Sequence, residues 1–376
     1  MLAPNEDGFY LGLISGTSRD GADAALVHIE HGQADLLHAC CLPYPPALKR
    51  DVDLMIEARQ RPSPGRAAAL DELLGQFFAA AARQLIEQAG IETRDVIAIG
   101  SHGQTVWHEP DGSPPVSIQL GSGSVIARTT GIPTVTDFRR ADLAAGGQGA
   151  PLAPIIHGPL LGAADERRAI VNIGGIANLT LLEGHCIEGG HDTGPGNCLM
   201  DAWIQRHLGQ ALDRDGDWAR SGTVAEPLLA DWLSDPYFAA AAPKSTGLEY
   251  FNLEWLDARL PETAPPAADV QATLTELTAR SLARDISDFS PDRVLLCGGG
   301  SHNVWLVERL RALLEPIPIE TTTRHGLDAD WLEAILFAWL ARERVLERPV
   351  DTSRFTGARR PVLLGRIHGA GRHERH

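Results

Sequence analysis

Short apolar runs separated by glycine-rich polar turns dominate the chain, and they come in two similar sets. Phe9 to Ile14 and Ala24 to Ile29 are apolar and β-prone, with Ala34 to Leu42 a third strand. The turn between the first two reads Ser15-Gly16-Thr17-Ser18-Arg19-Asp20-Gly21-Ala22-Asp23. Leu70, Leu73, Leu74, Phe77, Phe78, Ala81 and Leu85 then recur at helical spacing, Gly90 stops them, and Val96 to Ile99 predicts a short buried strand. The second half repeats the plan. Ala169 to Ile173 and Ile176 to Leu182 flank Gly174-Gly175, and Leu199 to Leu208 predicts a helix. An amphipathic helix through Val270, Leu274, Leu277 and Ser281, a strand Arg293 to Cys297, the triple glycine Gly298-Gly299-Gly300, a helix Val304 to Leu314 and a last helix Trp331 to Leu346 complete it.

At 376 residues the chain is longer than one core usually grows, so two domains are expected. The crossover is placed near residue 135, giving a first domain of 1–135 plus 350–376 and a second of 136–349. A net charge of -16 provides no basic footprint for nucleic acid or an anionic membrane, so any bound phosphate must be held locally. The five cysteines form no C-x-x-C pair, which points to buried thiols in a reducing compartment and away from zinc or disulfides. No apolar run is long enough to span a bilayer, and Met1 to Asp7 lacks the basic start of a leader. A cytoplasmic location is expected.

Polar groups gather at the ends of these strands. His191-Asp192-Thr193-Gly194-Pro195-Gly196-Asn197 sets a carboxylate in a glycine-proline turn ahead of a helix, where Asp192 either caps the helix or serves a site, and where the helix start offers N–H groups to an anion. The Gly16 turn has neither the lysine nor the following helix of a P-loop, yet its backbone and hydroxyls can surround a phosphate. His102, Gln104 and His108 follow the Val96 to Ile99 strand, as structural or as ligand-facing residues. Ala144 to Pro151 is a hinge or a ligand-hugging loop. Asp213, Asp215 and Asp217 read as a solvated connector, because an EF-hand glutamate is missing at Val224. Lys244 to Asn252 lines a pocket or forms a surface loop, and the triple glycine between strand and helix suits a nucleotide contact or tight packing.

Glycine turns at strand ends in two similar halves suggest a two-domain α/β fold of the actin-like ATPase, ribonuclease H-like type, with a cleft between the domains. The motifs are more specific. Leu13-Ile14-Ser15-Gly16-Thr17-Ser18 with Asp20-Gly21 and Asp23, Gly103-Gln104-Thr105-Val106-Trp107-His108, Asp137-Phe138-Arg139-Arg140, Gly146-Gly147-Gln148-Gly149-Ala150-Pro151, Asn172-Ile173-Gly174-Gly175-Ile176-Ala177-Asn178 and Asp192-Thr193-Gly194-Pro195-Gly196-Asn197 closely resemble the anhydro-N-acetylmuramic acid kinases. The match runs in order from about residue 10 to about residue 365.

The resemblance implies an enzyme of peptidoglycan recycling that uses ATP and water on 1,6-anhydro-N-acetylmuramic acid, giving N-acetylmuramic acid 6-phosphate and ADP. Asp192 is then the base that deprotonates the water. Gly16, Thr17 and Ser18 with Asp20, Gly21, Asp23, Gly174 and Gly175 are the phosphate-side candidates, Gly298, Gly299 and Gly300 face adenosine, and Mg²⁺ accompanies ATP. Thr105, Arg139, Arg140, Asp142 and Glu333 are the sugar-side candidates, because hydroxyls and a lactyl carboxylate call for polar side chains and a guanidinium. A homodimer is implied too. The chain departs from the family pattern at Ser122, Arg19, Leu248 and His191. Rival readings are a sugar-responsive binding protein, a hydrolase working without ATP, and a kinase acting on the free sugar with no water activation.

Overall fold

The computed structural model describes residues 7–16, 19–58 and 60–370. They divide into two compact units, one from residues up to Leu160 and from Trp331 on, the other Leu161–Asp330. The division therefore falls after Leu160 and before Trp331, and not at the expected residues 135 and 350. The reason is pairing: the strand that ends at Thr136 and the helix that starts at Leu332 both complete the first unit's sheet and its covering.

The first unit contains β1 (Gly8–Ser15), β2 (Gly21–Glu30), β3 (Gln33–Pro43), β4 (Val96–Glu109), β5 (Val116–Leu120) and β6 (Thr134–Thr136), with a short strand Arg366–His368. β1, β2 and β3 form an antiparallel meander, β4 runs parallel to β1, and β6 runs parallel to β4. β5 pairs with the far half of β4, and Arg366–His368 closes the edge beside β6. The second unit contains β7 (Arg167–Ile173), β8 (Ile176–Glu183), β9 (Cys186–Pro195), β10 (Arg293–Cys297) and β11 (Ile319–Thr321). Here too a meander of the first three strands is extended from its first member by parallel strands, in the order β11-β10-β7-β8-β9. The same meander plus parallel extension, made twice, is the duplicated ribonuclease H-like topology of actin-like ATPases. The fold class is α/β.

Local chemistry explains the helices that cover these sheets. Pro64–Ala89 starts with proline at its first turn and stops at Gly90, whose φ of 67° is left-handed. Its Leu74, Phe78 and Leu85 are fully buried against Leu11, Leu13, Ala24 and Leu26 of the sheet. Each such side chain contributes roughly 2 kcal/mol. Against β1 and β4 lies Leu332–Val345, buried almost throughout. It approaches backbone to backbone: a Cβ on Gly12 would sit 1.7 Å from the Ala334 carbonyl oxygen, and one on Gly100 would sit 1.9 Å from that of Phe337. In the second unit Ala267–Phe289 buries Val270, Leu274, Leu277, Leu282 and Ile286 in a core shared with β7, β8 and Cys198–Leu208.

Three expectations are corrected. β4 extends to Glu109, so His102, Gln104 and His108 lie within the strand and not after it. Register shifts at Leu13/Ser15 and Thr105/Trp107 let β4 continue past its apolar stretch, and β1 meets it there: Ser15 Oγ donates to Gln104 Oε1 at 2.7 Å. Of the five cysteines only Cys297 is buried, while Cys41 and Cys186 are exposed, all five being free thiols. Asp213 is buried, accepting from the Trp218 and Ala219 N–H groups at 2.9 Å each and from Gln271 Nε2 at 3.2 Å, so it holds a helix start and is no solvated loop residue.

Candidate active site

In the second unit Asp192 stands near the end of β9. Ala177 pairs with Gly194 and Asn178 with Asp192, which leaves Thr193 as an extra residue, a bulge that re-aims the strand. Gly194 has φ 148°, and a Cβ there would lie 2.7 Å from the Phe238 ring. Asp192 is 6 % exposed and is held at three points. Its Oδ2 accepts from the Thr246 N–H at 3.0 Å, its N–H donates to the Lys244 carbonyl at 3.1 Å, and its carbonyl accepts from the Tyr237 hydroxyl at 2.6 Å. Asp192 caps no helix, since the Cys198–Leu208 helix has Asn197 at its N-cap position.

The clamps on Asp192 are themselves fixed. Asp235, 3 % exposed, accepts from the Tyr237 N–H, the Tyr250 hydroxyl, Trp255 Nε1 and Arg259 Nη2 at 2.9, 2.7, 2.9 and 2.7 Å. Burial pushes its pKa up, but these donors outweigh that and hold it below the ordinary carboxylate value. Lys244 is buried with its ammonium 4.8 Å from the Tyr237 ring centre and donating to the Tyr237 carbonyl. Burial lowers its pKa, with Arg284 acting the same way and Asp285 and Asp192 opposing. Tyr237 and Asp235 carry no local sequence signal, because Tyr237 reaches Asp192 from another stretch of the unit and Asp235 acts through Tyr237.

The Gly174-Gly175 turn is bound to the same element. The Gly175 carbonyl accepts from the Gly196 and Cys198 N–H groups at 2.9 and 3.1 Å, and the Gly174 carbonyl from Asn197 at 2.8 Å. Gly196 has no room for a Cβ, which would lie 2.3 Å from the Gly174 carbonyl oxygen. These three N–H groups are therefore taken by protein. The triple glycine divides its work. Gly298, at φ 76°, and Gly300 are packed against Asn172 and Ile173 at distances of 2.2 and 2.3 Å that no Cβ tolerates, while a Cβ on Gly299 would meet nothing within 4 Å. Gly174 is nearly open as well, a Cβ there meeting only the Ile176 carbonyl oxygen at 3.4 Å.

Asp201, in the first turn of Cys198–Leu208, has its pKa raised to about 7 by burial first and by the Asp213 carboxylate second. A carboxyl raised in the folded state favours folding when protonated, so its stability contribution is present below about pH 4 and is lost as pH rises to about 7. The helix N-terminus opposes this, and Asp201 is partly exposed. Asp201→Asn is expected to raise stability at pH 8 by about 1 kcal/mol, with the gain vanishing near pH 4, in urea titrations at the two pH values.

In the first unit, the β1–β2 turn carries Gly16, whose carbonyl accepts from the Arg19 N–H at 3.2 Å, and Asp20, whose carbonyl accepts from the Tyr44 N–H at 2.9 Å. Thr17 and Ser18 lie outside the described residues. Gly21 is a packing glycine, with the Leu42 carbonyl 2.2 Å from where its Cβ would be, so sheet pairing accounts for it. Asp23 sits on β2 opposite Cys41.

Of the sugar-side candidates, Thr105 accepts from Gln119 Nε2 at 3.2 Å. Arg139 donates from Nε to His102 Nε2 at 3.0 Å. Arg140 is turned to solvent beside Asp137 at 3.2 Å. Glu333 opens to solvent at the first turn of its helix. Its pKa is raised, by the protein massed around it and then by Asp23, with Arg139 opposing. Asp142 is corrected: it is fully buried, and its oxygens accept from the Gly149 N–H at 2.7 Å, Thr352 Oγ at 2.5 Å and Thr356 Oγ at 2.7 Å. It braces the Gly146–Pro151 loop. Asp142→Asn turns a shared acceptor into a donor toward those groups and is expected to cost about 2 kcal/mol, measured by thermal and urea unfolding.

The departures from the family pattern have local partners. Ser122 takes the N-cap position of Gly123–Thr130, Arg19 meets Asp53 at 3.2 Å, and His191 Nε2 lies 2.9 Å from Asp285 Oδ2.

A sequence model of the anhydro-N-acetylmuramic acid kinase family matches residues 8–370. An anhydro-N-acetylmuramic acid kinase from Xanthomonas axonopodis pv. citri (strain 306) is 48 % identical over 366 residues, covering 96 % of this chain and 98 % of that protein. Among solved structures, similarity is found to the activator of 2-hydroxyisocaproyl-CoA dehydratase from Clostridium difficile with bound ADPNP, at TM-score 0.44 and 11 % identity, covering 90 % of this chain and 96 % of that one. A ROK family glucokinase from Streptomyces griseus in complex with glucose and AMPPNP aligns at TM-score 0.39 and 16 % identity, over 89 % of this chain and 100 % of that one.

Proposed function

This chain belongs to the anhydro-N-acetylmuramic acid kinase family, and on that premise we propose how its residues divide the reaction. The enzyme opens 1,6-anhydro-N-acetylmuramic acid with water and phosphorylates O6, giving N-acetylmuramic acid 6-phosphate and ADP in cell-wall recycling. Asp192 takes a proton from the water, whose oxygen attacks the anomeric carbon. The bond from that carbon to O6 breaks, and O6 attacks the γ-phosphorus of ATP as ADP leaves. The proton taken by Asp192 passes to solvent. An ordinary glycosidase needs a second carboxyl to protonate its leaving oxygen, whereas here the phosphoryl group traps it, so one base suffices. The observation that carries this reading is a nearly buried carboxylate fixed at three points on a bulged strand.

Gly16, Gly174 and Gly299 would meet ATP through their backbone. Mg²⁺ would arrive with the nucleotide and neutralise charge on its phosphate oxygens. Among the described residues the only cluster of three metal-type side chains, Asp7, Glu30 and His31, lies at the far end of the β1–β2 hairpin from the Gly16 turn. An ion held chiefly by phosphates and water needs only one or two carboxylates, which Asp20 and Asp23 would supply. Thr105 and Glu333 would bind sugar hydroxyls, and Arg139 the lactyl carboxylate. Among the described residues no helix is long and apolar enough to cross a membrane, which suits a cytoplasmic enzyme. The homodimer of the same reading is checked by sedimentation.

Turnover in heavy-oxygen water tests the coupling. Label at C1 of a phosphorylated product is expected. Phosphorylation without label would overturn it in favour of a kinase acting on the free sugar, and ring opening without ADP would favour a hydrolase.

A further inference from the structure

We propose that Tyr237 and Lys244 are positioning residues for Asp192, acting through a closed ring of three hydrogen bonds. The proposal rests on Asp192 being the base that takes the water's proton. The ring runs from the Asp192 N–H to the Lys244 carbonyl at 3.1 Å, from Lys244 Nζ to the Tyr237 carbonyl at 3.2 Å, and from the Tyr237 hydroxyl back to the Asp192 carbonyl at 2.6 Å. Within it each residue donates once and accepts once. No member can shift without straining its bonds to both of the others.

The position of Asp192 calls for such a device. β9 is the last strand of its sheet, and the bulge at Thr193 breaks its ladder with β8 right beside the carboxylate. An edge strand interrupted by a bulge has lost the pairing that elsewhere holds a backbone in place, and a reacting group misplaced by about 1 Å can cost as much as 10²-fold in rate. The ring supplies what an adjoining strand would: both main-chain groups of Asp192 are gripped by residues outside the ladder. Those residues are fixed in their turn. The Tyr237 ring meets Phe238 and Phe251 edge-on at 6.1 and 5.4 Å, its N–H is held by Asp235 at 2.9 Å, and the buried Lys244 places its ammonium 4.8 Å from the ring centre. The phenol has one proton, and that proton is directed at the Asp192 carbonyl. Burial first and the Asp192 charge second push the phenol above the ordinary tyrosine value, so the hydroxyl stays a donor to main chain and does not titrate.

The test is a double-mutant cycle on the full-length enzyme, with turnover of 1,6-anhydro-N-acetylmuramic acid and ATP followed in the parent and in Asp192→Asn. Tyr237→Phe removes a single oxygen and is expected to lower kcat about tenfold in the parent, with the sugar KM within about threefold. In Asp192→Asn the proton acceptor is already gone. There the same substitution should change the residual turnover, read in single turnovers with excess enzyme, by less than about twofold. Lys244→Met, which keeps the buried stem and loses the ammonium, should follow the same pattern; if it does not fold, the Tyr237 arm decides. Equal fold losses in the two backgrounds would mark a contribution to structure alone and overturn the proposal, as would a normal kcat for Tyr237→Phe in the parent. Either result leaves Asp192 as the base so long as Asp192→Asn by itself is slow. Near-normal turnover of Asp192→Asn would instead remove the reading on which the ring depends, and the proposal with it.

Discussion

Asp192→Asn is expected to lower turnover about 10²-fold or more, with the sugar KM changed little. The reason is specific to this position. Asparagine has the shape of aspartate and keeps an oxygen for the Thr246 N–H, so the 3.0 Å bond and the two backbone clamps from Lys244 and Tyr237 survive. What it lacks is a place for the water's proton. A fall in kcat at constant KM is the mark of an interaction used only in the transition state. Thermal unfolding should coincide with that of the parent, which separates lost chemistry from lost structure. Near-normal turnover would remove Asp192 from the role of base.

Gly100→Ala should cost about 3 kcal/mol or more in stability, through crowding alone. The added carbon would lie 1.9 Å from the Phe337 carbonyl oxygen and 2.6 Å from its carbon. Neither is a flexible side-chain tip, so the whole Leu332–Val345 helix must lift from β1 and β4, loosening the buried run from Ala334 to Ala341. Gly65→Ala supplies the control: it lies in the first turn of Pro64–Ala89, where a Cβ meets nothing within 4 Å, and should gain up to about 1 kcal/mol from helix propensity. Urea unfolding of both variants checks the pair. A Gly100→Ala protein as stable as its parent would mean that the helix does not press on the strand.

Sequence patterning made the architecture legible to the extent that each element announces itself locally. The Pro64–Ala89 and Ala267–Phe289 helices show their buried stripes, and the hairpin glycines mark both meanders. The apolar run covers only the first part of β4 because Ser101, His102 and Gln104 interrupt it; Gln104 and His102 find partners in Ser15 and Arg139, far off in the chain, which a periodicity cannot show. The same limit explains Asp142. Its carboxylate is visible in the sequence, but its hydroxyl donors come from Thr352 and Thr356, 210 and 214 positions away. Asp192 stood out by its glycine-rich setting, whereas Tyr237 and Thr246, 45 and 54 positions on, reach it only through the folded loop. A glycine in the sequence does not show whether close packing requires it. Gly21, Gly298 and Gly300 are explained by close approach of other backbone or side chains.

The bonds from the Gly174-Gly175 carbonyls to Gly196, Asn197 and Cys198 have a mechanical consequence. The turn proposed to meet phosphate and the strand end that carries Asp192 are joined into one stiff part, with β8 paired along both. A thermal displacement of the turn carries the carboxylate with it. The spacing between the proposed proton acceptor and the proposed phosphate contact is thereby a fixed dimension of this unit, as the distance between two pins on one plate is fixed, and it would not have to be re-established at each catalytic cycle.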